Sequence, residues 1–222
     1  MDRADLDPDR HRHALRGLER INRLSGSAGI IWSPTRRLAE QANGQPLRVL
    51  DVACGAGDLS IALFQRAART GLNLHLEAAD ISPRALDYAR GRADDTGARI
   101  HFFQLDALAA DFPSGYDVVF SSLFLHHLNE EQAVNLMRRM ARAAQQVVLI
   151  SDLARSRLGW TAAYCVTRLL TTSDVVRTDG PLSVEGAFTP REALELAHRA
   201  GLRGARVGRR WPFRYLLAWT RT

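Results

Sequence analysis

At 222 residues, 46% hydrophobic and 24% charged, the chain fits a single α/β domain large enough to bury a core without disulfides or metals. Its two cysteines, Cys54 and Cys165, form neither a disulfide framework nor a zinc pattern, so a reducing cytoplasm is the expected setting. The net charge of +6 comes from arginine alone, with no lysine, and no apolar run reaches the ~18 residues that span a bilayer. The chain opens on charged Met1-Asp2-Arg3-Ala4-Asp5, without the apolar stretch of a secretion signal. Residues 10–42 read as helices ahead of the first strand, within a helical cap over residues 1–45.

From there, five apolar, β-rich runs alternate with helical patterns, the signature of βαβ units and a parallel sheet. The strands are expected at Leu47–Val52, Leu74–Asp80, Arg99–Leu105, Tyr116–Ser122 and Gln146–Asp152. Helices are expected between them at Leu59–Thr70, Pro83–Gly91 and Glu130–Ala144. Ser82-Pro83 is a helix start, with Ser82 as cap and Pro83 in the first turn. A segment over residues 153–188 stands outside the repeat and reads as a lid over the strand ends. Thr189-Pro190-Arg191-Glu192 then opens a helix with a capping box, and that helix ends at Gly201. Two late strands, Ala205–Gly208 and Tyr215–Thr220, close the chain around an Arg-Trp-Pro turn.

The most informative run is Arg48-Val49-Leu50-Asp51-Val52-Ala53-Cys54-Gly55-Ala56-Gly57-Asp58. An apolar strand ends in an acid, a glycine turn follows, and a helix begins. Gly55 and Gly57 permit positive φ and put no Cβ between backbone and ligand. A ligand then sits outside the carboxyl ends of the strands. No Gly-Lys-Ser/Thr follows, so the loop is not a P-loop, and Ser60 breaks a Gly-x-Gly-x-x-Gly dinucleotide fingerprint. Asp80 ends the second strand about 25 residues after Gly55, where a carboxylate can accept bonds from ribose hydroxyls.

This arrangement resembles motif I of the class I S-adenosylmethionine (SAM) methyltransferases. Its Asp-x-Ala-x-Gly-x-Gly-Asp form, with Ala53 where many members have Gly, is most similar to the ubiquinone/menaquinone-biosynthesis group. Asn22-x-Leu24-Ser25-x-x-x-Gly29-x-x-Trp32 extends the likeness. The lid looks closer to small methyltransferases beside bacterial aromatic polyketide synthases. The resemblance implies a Rossmann-like, seven-stranded, mostly parallel sheet with the last strand antiparallel, residues 46–152 binding SAM, and residues 189–222 forming a helix and hairpin. It implies a SAM site of Asp51, Ala53, Gly55, Gly57, Asp80 with Ile81, Asp106 with Ala107, and Ser122.

Candidates for the chemistry lie across the crevice. Ser122-Leu123-Phe124-Leu125-His126-His127-Leu128 sets two imidazoles in an apolar rim, which suits a small aromatic acceptor. Either histidine can serve as general base or simply pack and cap the next helix. After the fifth strand, Arg155 can hold a substrate oxyanion and Asp152 can orient it or a histidine, or the two can form a salt bridge that ties down the lid. Trp32, Trp160 and Tyr164 are candidates for an aromatic pocket or for core packing. No Asn/Asp-Pro-Pro-Tyr/Phe or Pro-Cys motif follows the fourth strand, which argues against base methylation of DNA, and no metal ligand set is seen. The expected reaction is metal-independent methylation of a small phenolic, quinol or polyketide-derived acceptor, at oxygen in preference to carbon. Two alternatives stay open: an RNA methyltransferase using the arginines at 199–214, and a SAM-fold binding protein without turnover. Oligomeric state is not legible.

Overall fold

The computed structural model describes residues 27–170 and 174–221. Helix α1 (Ser27–Gln41) precedes β1 (Leu47–Val52), α2 (Asp58–Thr70), β2 (Leu74–Asp80), α3 (Pro83–Thr96), β3 (Ile100–Gln104) and β4 (Tyr116–Ser122). A 3-10 turn at Leu125–His127 leads into α4 (Glu130–Ala143) and β5 (Ala144–Leu153). Helices α5 (Arg157–Leu170) and α6 (Asp174–Gly186) fill the expected lid, followed by α7 (Pro190–Arg199), β6 (Arg206–Arg210) and β7 (Arg214–Thr220).

The strands form one sheet in the order β3-β2-β1-β4-β5-β7-β6. The first five are parallel, and β7 runs antiparallel beside β5 with Leu153 opposite Arg214. Chain order therefore reverses between β1 and β4, which opens a crevice at their carboxyl ends. Because β7 is antiparallel, the β6–β7 turn lies at that same edge.

Side chains alternate between two covered faces, as strands buried on both sides must. Leu50, Val52, Val119, Val148, Ile150, Tyr215 and Leu217 pack under α4 and α7. Val49, Val118, Phe120, Leu149 and Leu216 pack with Ile30 and Ile31 of α1 and Leu63 and Ala67 of α2. Phe102, Ala78 and Leu86 form a smaller cluster with Ile61 below α3.

Most expected boundaries agree with the structure to within two residues. The exception is α3, which continues from Pro83 to Thr96 rather than stopping at Gly91. Gly91 faces open space on the helix, and the terminating glycine is Gly97, at φ 66° with its N–H on the Ala93 and Asp94 carbonyls. Helix α4 begins with a capping box between Asn129 and Gln132 that the sequence reading did not identify. The Asn22-Leu24-Ser25 part of the amino-terminal match lies outside the described residues.

Candidate functional site

The glycine loop is positioned by β1 and held by β2. Cys54 donates its N–H to the Ala79 carbonyl at 3.0 Å, and Gly57 donates to the Cys54 carbonyl at 3.0 Å. Ala53, Gly55 and Gly57 take φ values of 59°, 53° and 70°. Ala53 thus occupies left-handed backbone at a position where glycine would be unstrained, at roughly 1–2 kcal/mol. The two glycines differ in their reasons. A Cβ on Gly57 would sit 3.0 Å from Ala89 Cβ and from Phe102 Cε1, whereas a Cβ on Gly55 would meet nothing of the described residues within 4 Å. Gly57 therefore serves packing against α3, while Gly55 leaves the space above the loop open.

Asp80 ties the loop to its own strand end. Its Oδ2 accepts the Gly55 N–H at 2.8 Å and its Oδ1 accepts the Ser82 N–H at 2.9 Å. Each carboxylate oxygen has two lone pairs, so both keep capacity for a ligand hydroxyl. Neighbouring Ile81 is exposed. Asp106 folds back on its own turn, its Oδ1 accepting from Leu108 N at 2.8 Å and Ala109 N at 3.3 Å, while Ala107 is buried. Its Oδ2 carries no hydrogen bond among the described residues.

Asp51 is buried beneath the loop, where its Oδ2 accepts from Ser60 Oγ at 2.6 Å. Burial pushes its pKa up to about 8, with the Ser60 bond working against the rise and the charge on Asp80 adding to it. Open space over Gly55, spare acceptors on Asp80 and Asp106, and an acid beneath the turn suit a ligand that carries ribose, adenine and an ammonium group. SAM has all three.

The opposite wall is made from β4, β5, β7 and the 3-10 turn. His126 Nδ1 lies 2.7 Å from Asp152 Oδ1, with both side chains buried, and the His126 N–H reaches Asp152 Oδ2 at 3.2 Å. Leu153 N adds a third bond to Oδ1 at 2.6 Å. Burial alone would raise the Asp152 carboxyl, but the His126 charge and these hydrogen bonds outweigh it and hold it below the usual range. With Nδ1–H donated to an ionised Asp152, a neutral His126 ring presents its lone pair at Nε2. The His127 ring lies 4.1 Å away, on an exposed residue.

Two features of this wall were not legible in the sequence. Arg214 is buried at the start of β7, where its Nη1 donates to Ser27 Oγ at 2.6 Å and its charge acts on Asp152. Desolvation lowers its pKa to about 10, with Asp152 opposing. Gly186 ends α6 against the 3-10 turn; a Cβ there would stand 3.0 Å from the His126 carbonyl. Nearby, the Ser151 and Tyr215 hydroxyls are buried with no hydrogen-bond partner among the described residues. Ser122 pairs with Ser151 in the β4–β5 register.

Of the two readings of Asp152 and Arg155, the salt bridge between them is not formed, and Asp152 instead contacts a histidine. Asp152 faces the core at the end of β5, whereas Arg155 lies beyond the strand and binds Glu192 Oε1 at 2.5 Å. Glu192 is already fixed by the expected capping box, accepting the Thr189 N–H at 2.8 Å, so it offers Arg155 a preset carboxylate. Arg155 also lines a cleft of about 380 Å³ with Arg157, Trp160, Val184 and Glu185. Trp160 stacks on Tyr164 and donates to Glu185 at 2.7 Å. Trp32 instead packs against the core under α1, so the three aromatic side chains do not line one pocket. Among the described residues no group of three or more potential ligands gathers as a metal site.

Comparison with known proteins gives a consistent picture. Residues 49–146 match a methyltransferase domain family. The chain is 36% identical over 134 residues to demethylmenaquinone methyltransferase of Thermus thermophilus, which covers 58% of each chain. It is 30% identical over 182 residues to phosphatidylethanolamine N-methyltransferase of Cereibacter sphaeroides, covering 72% of this chain and 86% of that one. A ubiquinone/menaquinone biosynthesis C-methyltransferase of Paraburkholderia phymatum is 35% identical over 57% of this chain and 51% of its own length. The match thus spans little more than half of the two quinone-biosynthesis relatives. In fold, magnesium protoporphyrin IX methyltransferase from Synechocystis, solved with bound SAH, superposes with a TM-score of 0.61 at 22% identity over 89% of this chain and 84% of its own.

Proposed function

Since the chain belongs to the class I SAM-dependent methyltransferases, we propose that it methylates a hydroxyl oxygen of a small phenolic, quinol or polyketide-derived acceptor, with His126 as general base. One observation carries this reading: the buried contact of 2.7 Å between His126 Nδ1 and Asp152 Oδ1 at the ends of β4 and β5. The named activities of the relatives, on quinone precursors and on phosphatidylethanolamine, support a small-molecule or lipid acceptor.

In this reading Asp80 binds the ribose hydroxyls, Asp106 Oδ2 takes the adenine amino group, and Asp51 and the turn through Gly55 receive the methionine end. Bound SAM supplies an electrophilic methyl group on a sulfonium. The protein's own task is alignment, exclusion of water and removal of one proton. Asp152 holds the Nδ1 proton of His126, so Nε2 accepts the acceptor's hydroxyl proton as the new C–O bond forms. The imidazolium that results stays paired with the Asp152 carboxylate, which its charge and the Leu153 and His126 N–H donors hold ionised. His127, beside that ring, shapes the rim. Arg155, on the surface of the lid cleft, contacts the acceptor away from the reacting atom.

The longest of these relative matches favours one further reading, an amine nitrogen as acceptor, for which the same base would remove the ammonium proton. Incubation with methyl-labelled SAM and a panel of phenols, quinols, alkylresorcinols and phosphatidylethanolamine decides between them. Label on a phenolic or quinol oxygen is expected. Label only on nitrogen or carbon overturns the assignment to oxygen.

A further inference from the structure

The β6–β7 turn is built from the wrong residues for a turn. Such tips favour Gly, Asn and Asp, whose backbone tolerates the bend and whose side chains accept water. Here the tip is Trp211-Pro212-Phe213, with Phe213 at φ 47°, a strained value for a bulky residue. Trp211 is 83% exposed and covers no core. Phe213 packs on the first turn of α5, where a Cβ on Gly159 would lie 3.3 Å from Phe213 Cβ, and its carbonyl accepts the Ala154 N–H at 2.8 Å. Next to Gly159 on that helix stands Leu158, 74% exposed. Three exposed apolar side chains thus stand on two elements that hold each other in place, an apolar edge referred to below as the ridge.

The ridge is set among cations. Arg209 and Arg210 end β6 immediately before the tip, and Arg157 adjoins Leu158; all three are exposed. Residues 196–222 contain seven arginines and no acidic residue. On neighbouring elements Glu192 is paired with Arg155, and Glu185 accepts the Trp160 ring N–H. Aromatic and aliphatic side chains flanked by arginine match the boundary of an anionic bilayer, where rings enter the acyl edge and guanidinium groups meet phosphates. The ridge also lies at the carboxyl edge of the sheet, the edge that carries the glycine loop and His126.

We propose that Trp211, Phe213 and Leu158, with Arg157, Arg209 and Arg210, dock this edge of the molecule on an anionic lipid surface. Leu158 favours lipid over RNA, because an aliphatic side chain gives a base no π face on which to stack. Among the described residues no helix is long and apolar enough to cross a membrane, so the contact is peripheral. The docking does not depend on which acceptor is methylated, and its test reads no turnover.

The test is co-sedimentation of the full chain with vesicles of phosphatidylcholine alone or of phosphatidylcholine with phosphatidylglycerol. The wild type is expected to bind the anionic vesicles and to lose that preference at high salt. R209Q/R210Q should weaken binding about twenty-five-fold, from two charges each worth roughly fivefold at such a surface. W211S should weaken binding by about tenfold or more, from the loss of a buried aromatic side chain. Both sets of residues are exposed, so thermal melting of the variants should match the wild type and shows that the loss is not misfolding. Failure of the wild type to bind anionic vesicles overturns the proposal, as does binding that neither variant alters. Capture of RNA transcripts in place of vesicles overturns it as well.

Discussion

On one side of the crevice the molecule presents backbone: a turn through Ala53, Gly55 and Gly57 that is tied to the Asp80 carboxylate, 25 residues after Gly55. On the other side it offers side chains, His126 and Asp152, buried among β4, β5, β7 and α6. The first kind of site depends on conformation and tolerates little variation in residue type at a few positions. The second depends on charges held out of water, where removing one member exposes the others to an unpaired burial. A backbone site should therefore fail in affinity when a Cβ is added, and a charged wall should fail in turnover or stability when a partner is deleted.

The largest expected effect falls on the charged wall. His126→Ala should lower kcat by about 10²–10⁴-fold, the range for loss of a general base, while calorimetry finds SAM affinity within about twofold of wild type. Asp152→Ala adds a folding penalty, since it removes one partner of the buried His126–Asp152 pair; breaking a buried pair costs about 3–5 kcal/mol. For a chain of this length that corresponds to a Tm lower by roughly 10 °C. A His126→Ala protein with full turnover would erase the contrast, because the wall would then be packing alone.

The loop should separate its own two glycines. Gly57→Ala forces a Cβ to within 3.0 Å of Ala89 and Phe102 at φ 70°, so it should lower stability by about 1–3 kcal/mol. Gly55→Ala has no neighbour within 4 Å among the described residues, so its stability cost comes from the left-handed backbone at φ 53°, roughly 1–2 kcal/mol. Its added methyl enters the space assigned to SAM, and affinity should fall about tenfold or more. Equal SAM affinity in the two variants, measured calorimetrically at a temperature where both are folded, would show that the open side of Gly55 is not the cofactor side.

The same contrast explains what sequence reading reached. Asp51, the Gly55–Gly57 turn, Asp80, the Ser82 cap and the Thr189–Glu192 box are all local signals, each a residue type required at a fixed offset from a strand or helix end. In the structure each stands at the strand end, turn or helix cap its offset predicts, and the last strand is antiparallel, as the family resemblance implied. The pairing of His126 with Asp152 joins residues 26 apart, brought together by the parallel neighbours β4 and β5, so sequence reading could name both and leave the partner open. Arg214 looked like one more arginine of a basic tail. Alternation could not reveal it, because Arg214, Tyr215, Leu216 and Leu217 are all buried and the strand has no polar face to break the pattern. Gly186 gave no signal, since its role is the close approach of α6 to a carbonyl 60 residues earlier.

Arg155 provides the smallest expected effect and the sharpest test of the boundary between wall and lid. From its position after β5 it suggested an oxyanion partner, yet its guanidinium is engaged by Glu192 and about half exposed. An exposed ion pair contributes about 0.2–1 kcal/mol, so Arg155→Ala should shift Tm by less than about 4 °C. If Arg155 meets the acceptor only at the lid cleft, KM should rise a few-fold while kcat changes by less than about twofold. Glu192→Gln removes the pairing charge but leaves Arg155 free to turn toward the cleft, so it should leave KM unchanged or lower it. A hundredfold fall in kcat for Arg155→Ala would instead place its guanidinium at the reacting oxygen, and the charged wall would then extend past the end of β5 into the lid.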